Sequence, residues 1–327
     1  MKFGLFLNCQ TTTDRSADEL FEGLLDQTAA AREAGFDMIT TGQHYLADYV
    51  QLQQMPLLSR LAAEAGSMKV GPGVVLLPLH QPVDIAEQLT TLDTISAGAI
   101  AGVGIGYRDV EFDSFGVEKS DRVGRFEEGI ELMKRLWTEE NVVYDGEHYS
   151  VDGVTINPRP DERPPIWIAA NSRAAVHRAA RMGDAWFVNP HSTVSEIEEL
   201  KAEYDEVRRE RGEDTGVPII RETFVAETHE EAVETAREYL FSKYQQYIEW
   251  GQDEAMEDEQ DLHKPFEQLA EDRFLLGTPA EVCAEIERYE ADLDAEYMVP
   301  RLHWPGMDHD VAVECIELIG DEVVPNV

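Results

Sequence analysis

The feature that most constrains this chain is a repeated alternation of short apolar runs with longer amphipathic segments. Candidate strands fall at Phe3–Leu7, Met38–Thr41, Val70–Leu76, Ala99–Gly104, Ile166–Ala170, Ala185–Val188, Pro218–Val225 and Tyr297–Leu302. Helical patterns lie between them at Asp18–Ala34, Pro56–Gly66, Pro82–Ile95, Arg122–Leu136, Arg173–Met182, Val194–Arg211, Glu230–Tyr247 and Asp310–Gly320. A further helix, Pro279–Tyr289, precedes the last strand. This is the rhythm of a parallel sheet with crossover helices. The run Gly73–Leu77 is apolar without alternation, as a strand covered on both faces requires. Eight such units predict an α/β fold of the closed (β/α)8 barrel type, the TIM barrel.

The 327 residues suffice for one such barrel with insertions, so a single domain is expected over residues 1–327. Two segments break the rhythm. Val142–Asn157 reads as a β-hairpin insertion with turns at Asp145-Gly146 and Asp152-Gly153. Residues 250–272 form a long acidic excursion, read as an active-site cover or subunit contact. Local punctuation agrees with the helix assignments. Gly35 follows the first helix, and Thr278-Pro279-Ala280-Glu281 reads as an N-cap, a first-turn proline and an acidic first turn.

Charge narrows the partners. With 66 acidic against 27 basic residues, only seven of them lysine, the net charge is −39. The acids are spread over every predicted helix, so they read as salt adaptation of the halophilic type rather than as a docking face. At molar salt such repulsion is screened within about 3 Å. Phosphate backbones would be repelled, which argues against nucleic-acid binding. No apolar run approaches membrane-spanning length and no leader peptide is evident, so a cytoplasmic protein is expected. Cys9, Cys283 and Cys315 form no CxxC pattern and read as free thiols, with Cys9 singled out because it follows the first strand.

Three motifs carry chemistry, each with a plain alternative. Gly102-Val-Gly-Ile-Gly106 lacks the helix that must open directly after a dinucleotide-binding glycine loop; the next predicted helix starts at Arg122. The segment between, holding Arg108, Asp109, Glu111 and Asp113, reads as a loop. The glycines suit a flat ring lying against the fourth strand, or simply ease barrel curvature. Asn171-Ser172 joins the fifth strand to a helix, a place for a phosphate with Arg173 adding donors, or for an ordinary N-cap. His44 follows the second strand, whose C-terminal end faces the active site of such a barrel, as a general base or a structural histidine. The histidines show neither HxxxH nor HExxH spacing, so no metal site is expected. A hydrolytic barrel with paired carboxylates is a further reading, for which Glu222 is the sole candidate.

In order along the chain, Gly35–His44, Leu76–Pro82, Ala86-Glu-Gln88, Leu92-Asp93, Gly102–Tyr107, Arg125–Ile130, Leu136-Trp137, Trp167–Ser172 and Ala179–Trp186 resemble the bacterial luciferase-like monooxygenases and their deazaflavin-dependent relatives. The resemblance implies reduced FMN, or alternatively the deazaflavin coenzyme F420, at the barrel mouth, acting on a small organic substrate. It maps cofactor contacts onto Gly73 and Val74, often a non-prolyl cis peptide, and onto Gly104, Ile105, Asn171, Ser172 and Asn189. Arg173 is a further phosphate candidate. His44 takes the catalytic or flavin-contacting place, and Cys9, Tyr107 and Trp304 belong to the substrate pocket. A homodimer and a separate flavin reductase are implied as well. This chain departs from the pattern at Gln43, where relatives carry an acid, and lacks their phosphate arginine near Ile105. Before the fourth strand it has Ala97-Gly-Ala-Ile100 where relatives have Gly-Gly-Arg-Phe, and the departures at Gln43 and Ala99 leave a non-catalytic flavin-binding barrel as the alternative outside enzymology.

Overall fold

In a computed structural model, which describes residues 1–250 and 261–327, the eight predicted strands form one parallel sheet. They are β1 (Lys2–Leu7), β2 (Met38–Thr41), β3 (Lys69–Pro72), β4 (Ala101–Gly104), β5 (Ile166–Ala170), β6 (Ala185–Val188), β7 (Val217–Val225) and β8 (Ala295–Arg301). Neighbours run 3-2-1-8-7-6-5-4, and a two-residue continuation of the third strand, Val75–Leu76, pairs with β4. The third strand therefore meets β2 with its first piece and β4 with its second, which closes the barrel. A cis peptide joins Gly73 to Val74 between the two pieces, the location that the family resemblance implies.

The helices α1 (Ala17–Glu33), α2 (Gln54–Ala65), α3 (Pro82–Ile95), α4 (Arg122–Thr138), α5 (Arg173–Met182), α6 (Val194–Arg211), α7 (His229–Glu249) and α8 (His309–Glu322) agree with the predictions to within two residues at each end. The additional helix spans Pro279–Leu293, opened by the Thr278/Glu281 capping box. Gly35 stands just past α1 at φ 81, a conformation that costs glycine least.

Two apolar layers hold the barrel, and strand parity assigns residues to them. Phe6, Met38, Ile100, Trp167, Phe187, Ile220, Tyr297 and Val299 fill the interior. Their sequence neighbours Leu5, Leu7, Ile39, Ala101, Ile166, Ile168, Val188, Ile219 and Met298 pack outward against the helices. Each fully buried side chain of this kind contributes roughly 1.5–3 kcal/mol.

Three features differ from the sequence reading. Asp109–Phe115 is a short helix rather than a loop, stopped by Gly116 in the left-handed region at φ 66. Seven residues are too few for a visible helical period. Leu275–Gly277 forms an extra strand on β7, too short to register as an apolar run. The hairpin pairs Val142–Asp145 with Ser150–Val154, and Gly153 lies inside the second strand, not in a second turn. The excursion at 250–272 falls largely outside the described residues; its far end holds a helical turn, Asp261–His263, and a short helix, Phe266–Ala270. Among the described residues no helix is long and apolar enough to cross a membrane. All three cysteines are free.

Candidate active site

The C-terminal strand ends open into a cavity of about 540 Å3. Its rim follows from the same parity. On β2, β3 and β4 the inward residues at the mouth are Gly42, Gly73 and Gly104, followed on β5 by Ala169. On β6, β8 and β1 the corresponding cavity residues are Asn189, Arg301 and Asn8. On β7 the inward position beyond Ile220 is Glu222, the register partner of Arg301. One half of the mouth thus exposes backbone, and the other is polar and charged.

The glycine half is tightly packed. A Cβ on Gly104 would stand 2.5 Å from Val74 Cγ2, so the close approach of β4 to the third strand requires glycine here. Gly73, Val74, Gly104, Ile105, Asn171 and Ser172 all line the cavity. Ser172 is the N-cap residue of α5, yet its hydroxyl makes no capping bond, unlike Thr193, Thr228 and Thr278 before their helices. Its oxygen, with the first backbone N–H groups of α5, is available to an anion.

Two arginines line the cavity at this end, Arg122 at the start of α4 and Arg178 on α5. Arg178 donates to Glu127 at 2.7 Å, and Arg122 has no ion pair among the described residues. Arg173 does not line the cavity; its guanidinium pairs with Glu203 on α6. The sequence held the signal for this correction. Ala174 and Arg178 are one helical turn apart and share the face towards the mouth, whereas Arg173 does not.

His44 lines the cavity with Tyr107, whose hydroxyl burial pushes well above its ordinary range. The rings of Tyr107, Tyr247 and Trp250 stand edge-on to His44 at 6.0, 6.1 and 5.2 Å. Gln43 gives His44 no carboxylate; its side-chain oxygen accepts from the backbone N–H of Gln54 at 2.9 Å, at the start of α2. An acid nevertheless reaches the imidazole. Glu111, on the short helix after β4, places Oε1 3.6 Å from His44 Nδ1. Its carboxylate also accepts from the Tyr45 N–H at 2.8 Å and lies 3.5 Å from Arg108. Arg108 donates to the Tyr45 carbonyl at 2.7 Å and stacks on Trp250, 4.3 Å from the ring centre. Reading Asp109–Phe115 as a loop hid this acid, since only the helix turns Glu111 inward while its neighbours Val110 and Asp113 stay exposed.

The charged half centres on Glu222, which is fully buried. Lys243 from α7 donates to Oε1 at 3.1 Å, Arg301 donates to the same oxygen through Nε at 2.9 Å and also through Nη2, and Trp304 Nε1 donates to Oε2 at 2.7 Å. Burial alone would raise the Glu222 carboxyl, but Arg301 and Lys243 hold it below its ordinary value. Burial, helped by Arg301, brings the Lys243 ammonium down to about 7. His191, also on the cavity, is pushed well below its ordinary value by burial and then by Arg301, Lys243, Arg273 and Arg221. Glu222 therefore meets cations and an indole rather than a second carboxylate, which removes the hydrolytic reading. Trp304 belongs to this cluster and does not line the cavity, contrary to its expected pocket role. Cys9 does line it, with its thiol donating to the Gly42 carbonyl at 3.1 Å and raised by burial. Among the described residues no group of three or more His, Cys, Asp or Glu side chains is placed to hold a metal.

A family model described as luciferase-like monooxygenase matches residues 1–296. The chain belongs to this family. It is 32% identical over 185 residues to an FMNH2-dependent dimethylsulfone monooxygenase of Pseudomonas fluorescens, covering 54% of this chain and about half the length of that relative. It is 26% identical to an F420-dependent glucose-6-phosphate dehydrogenase of Kineococcus radiotolerans, with 90% of each chain covered. The crystal structure of the monooxygenase RslO1 from Streptomyces bottropensis superposes with a TM-score of 0.85 at 25% identity, covering 99% of each chain. Family members of this kind use reduced flavin or F420, and the eight-stranded barrel is their shared frame.

Proposed function

We propose that this protein is an FMN-dependent monooxygenase whose cofactor lies on the glycine half of the mouth. The observation that carries the reading is Ser172: a helix N-cap hydroxyl left uncommitted, facing the cavity beside Arg122 and Arg178. These groups fit a terminal phosphate, and the Cβ-free wall of Gly73 and Gly104 with Val74 and Ile105 fits a flat ring. When bound, reduced flavin supplies the two electrons of the reaction and its reactivity towards oxygen. The chain's own residues orient, exclude water and handle protons. His44, open to the cavity, holds or accepts a proton at Nε2, and the Glu111 carboxylate stands 3.6 Å away on the Nδ1 side, where it favours a charged imidazole. Tyr107, Tyr247 and Trp250 flank the imidazole edge-on and limit its orientation. Asn189 and Cys9 complete the wall.

A second reading keeps the fold and the site but takes F420, which transfers hydride without activating oxygen. Near-complete coverage of the F420-dependent relative supports it. The assembly we infer is a salt-adapted cytoplasmic homodimer, supplied with reduced FMN by a separate reductase. The net charge of −39 supports the salt adaptation, and the name of the FMNH2-dependent relative supports the external source of reduced flavin.

Loading the purified chain at high salt with FMN and, separately, with F420 distinguishes the readings. Retention of the yellow flavin spectrum after gel filtration supports FMN. Retention of the blue-shifted deazaflavin band with its blue-green fluorescence supports F420. Retention of neither overturns both and returns the non-catalytic barrel.

A further inference from the structure

Of the charged half of the mouth, the cofactor reading uses only Asn189, as part of the wall. Arg301 is 5% exposed and ends β8 pointing into the cavity. Glu222 occupies one edge of its guanidinium, because Nε and Nη2 both donate to the same carboxylate oxygen. The other edge, Nη1, has no protein partner among the described residues. On the neighbouring wall Asn189, 8% exposed, has its side-chain oxygen fixed by the His191 and Ser192 N–H groups at 2.7 and 3.3 Å. Its Nδ2 donor is thereby left over, buried and without a partner. Asn8 Nδ2 is unpartnered in the same way, and both residues line the cavity.

The local charge balance points the same way. Arg301 and Lys243 both act on His191, and both share the single buried carboxylate of Glu222. Buried donors without partners, and two cations sharing one carboxylate, are costly unless an acceptor arrives to meet them.

We propose that Arg301 and Asn189 form an anion subsite for the substrate, so that the enzyme acts on a small organic molecule carrying a carboxylate or sulfonate. The proposal rests on the flavin-type reading only in assigning the opposite half of the mouth to the cofactor. The cofactor's phosphate has its own cations at Arg122 and Arg178, across the barrel, so the two anionic groups do not compete.

Calorimetric titration of the FMN-loaded chain with hexanoate, hexanesulfonate and hexanamide at fixed ionic strength tests it. The two anions are expected to bind about tenfold or more tighter than the amide, as charge-assisted hydrogen bonds do. The double variant Glu222→Gln with Arg301→Gln removes the ion pair and leaves Lys243, whose ammonium burial already brings down to about 7, as the remaining ionisable group of the cluster; it should abolish that preference. Should the double variant not fold, Asn189→Asp keeps the oxygen that accepts from His191 and Ser192 but turns the donor into an acceptor. It should weaken hexanoate by about tenfold and leave hexanamide unchanged. Equal binding of amide and anions by the wild type, or a preference that survives these variants, overturns the proposal. Loss of FMN from the double variant, with no anion preference in the wild type, assigns the donors to the ring and also overturns it, leaving the flavin reading intact. If the wild type takes up neither cofactor, the flavin reading fails, and the same titration on the unloaded chain still decides the subsite.

Discussion

The two halves of the barrel mouth solve opposite problems with the same backbone geometry. From β2 to β5 the inward mouth positions are Gly42, Gly73, Gly104 and Ala169, and there the chain minimises side chain so that strands and a flat ligand can approach. From β6 round to β1 they are Asn189, Glu222, Arg301 and Asn8, and there it maximises buried polarity. The glycine half is rigid through contact and tolerates no added volume. The charged half is held by compensation and tolerates no loss of a partner. A barrel of repeated units can carry both because each strand contributes its own inward residue at the mouth.

The largest effect that separates the halves should come from Glu222→Ala. Removing the carboxylate leaves Arg301 and Lys243 facing each other in the core, at a cost of about 3–5 kcal/mol in urea unfolding. A loss under about 1 kcal/mol would mean that water reaches the cluster and that the contrast between halves is false. The next expectation concerns pH. Buried His303, two residues beyond Arg301, has its imidazole lowered from 6.5 to about 4 by burial and by His309. Above pH 6.5 neither state binds the proton; between 6.5 and 4 only the unfolded chain does, so stability falls as pH falls and levels off below about 4. The contribution is at most about 3 kcal/mol. Unfolding midpoints of the wild type and His303→Asn should therefore diverge on acidification across that window, and parallel curves would remove the histidine from the account.

His44→Ala should lower turnover about 100-fold, equivalent to ~2.7 kcal/mol, while cofactor retention holds. Glu111→Gln should lower it by about tenfold and move the acidic limb of the pH–rate profile, a change that a merely structural carboxylate would not produce. Unchanged profiles in the Gln variant would separate Glu111 from His44. The last expectation is on the glycine side. Gly104→Ala places its methyl against Val74, at a cost of about 1–3 kcal/mol in stability together with weaker cofactor retention. Equal retention would show that the ring does not lie on β4.

Much of this division was legible before the structure, because parity along a strand is a property of sequence. Eight apolar runs gave the barrel, and Gly73, Val74, Gly104, Ile105, Asn171, Ser172, Asn189, Tyr107, Cys9 and His44 all fall on the cavity. Asn8, Glu222 and Arg301 each lie two positions beyond an inward apolar residue, so period-two counting could have placed them as well. What the sequence did not disclose depends on contacts between distant elements. Glu111 reaches His44 from the connection after β4, two βα units on, through a helix too short to show a period. Trp304 and Arg173 carry plausible side chains for a site, but the first is captured by Glu222 and the second by Glu203. Neither partner could be known until the strands and helices were set side by side.

The most direct test of the two-sided mouth is a crystal structure of the chain loaded with FMN. The account predicts the phosphate within hydrogen-bond distance of the Ser172 hydroxyl and of Arg122, with the ring against Gly104 and Val74. A phosphate seated instead on Arg301 and Asn189 would contradict it.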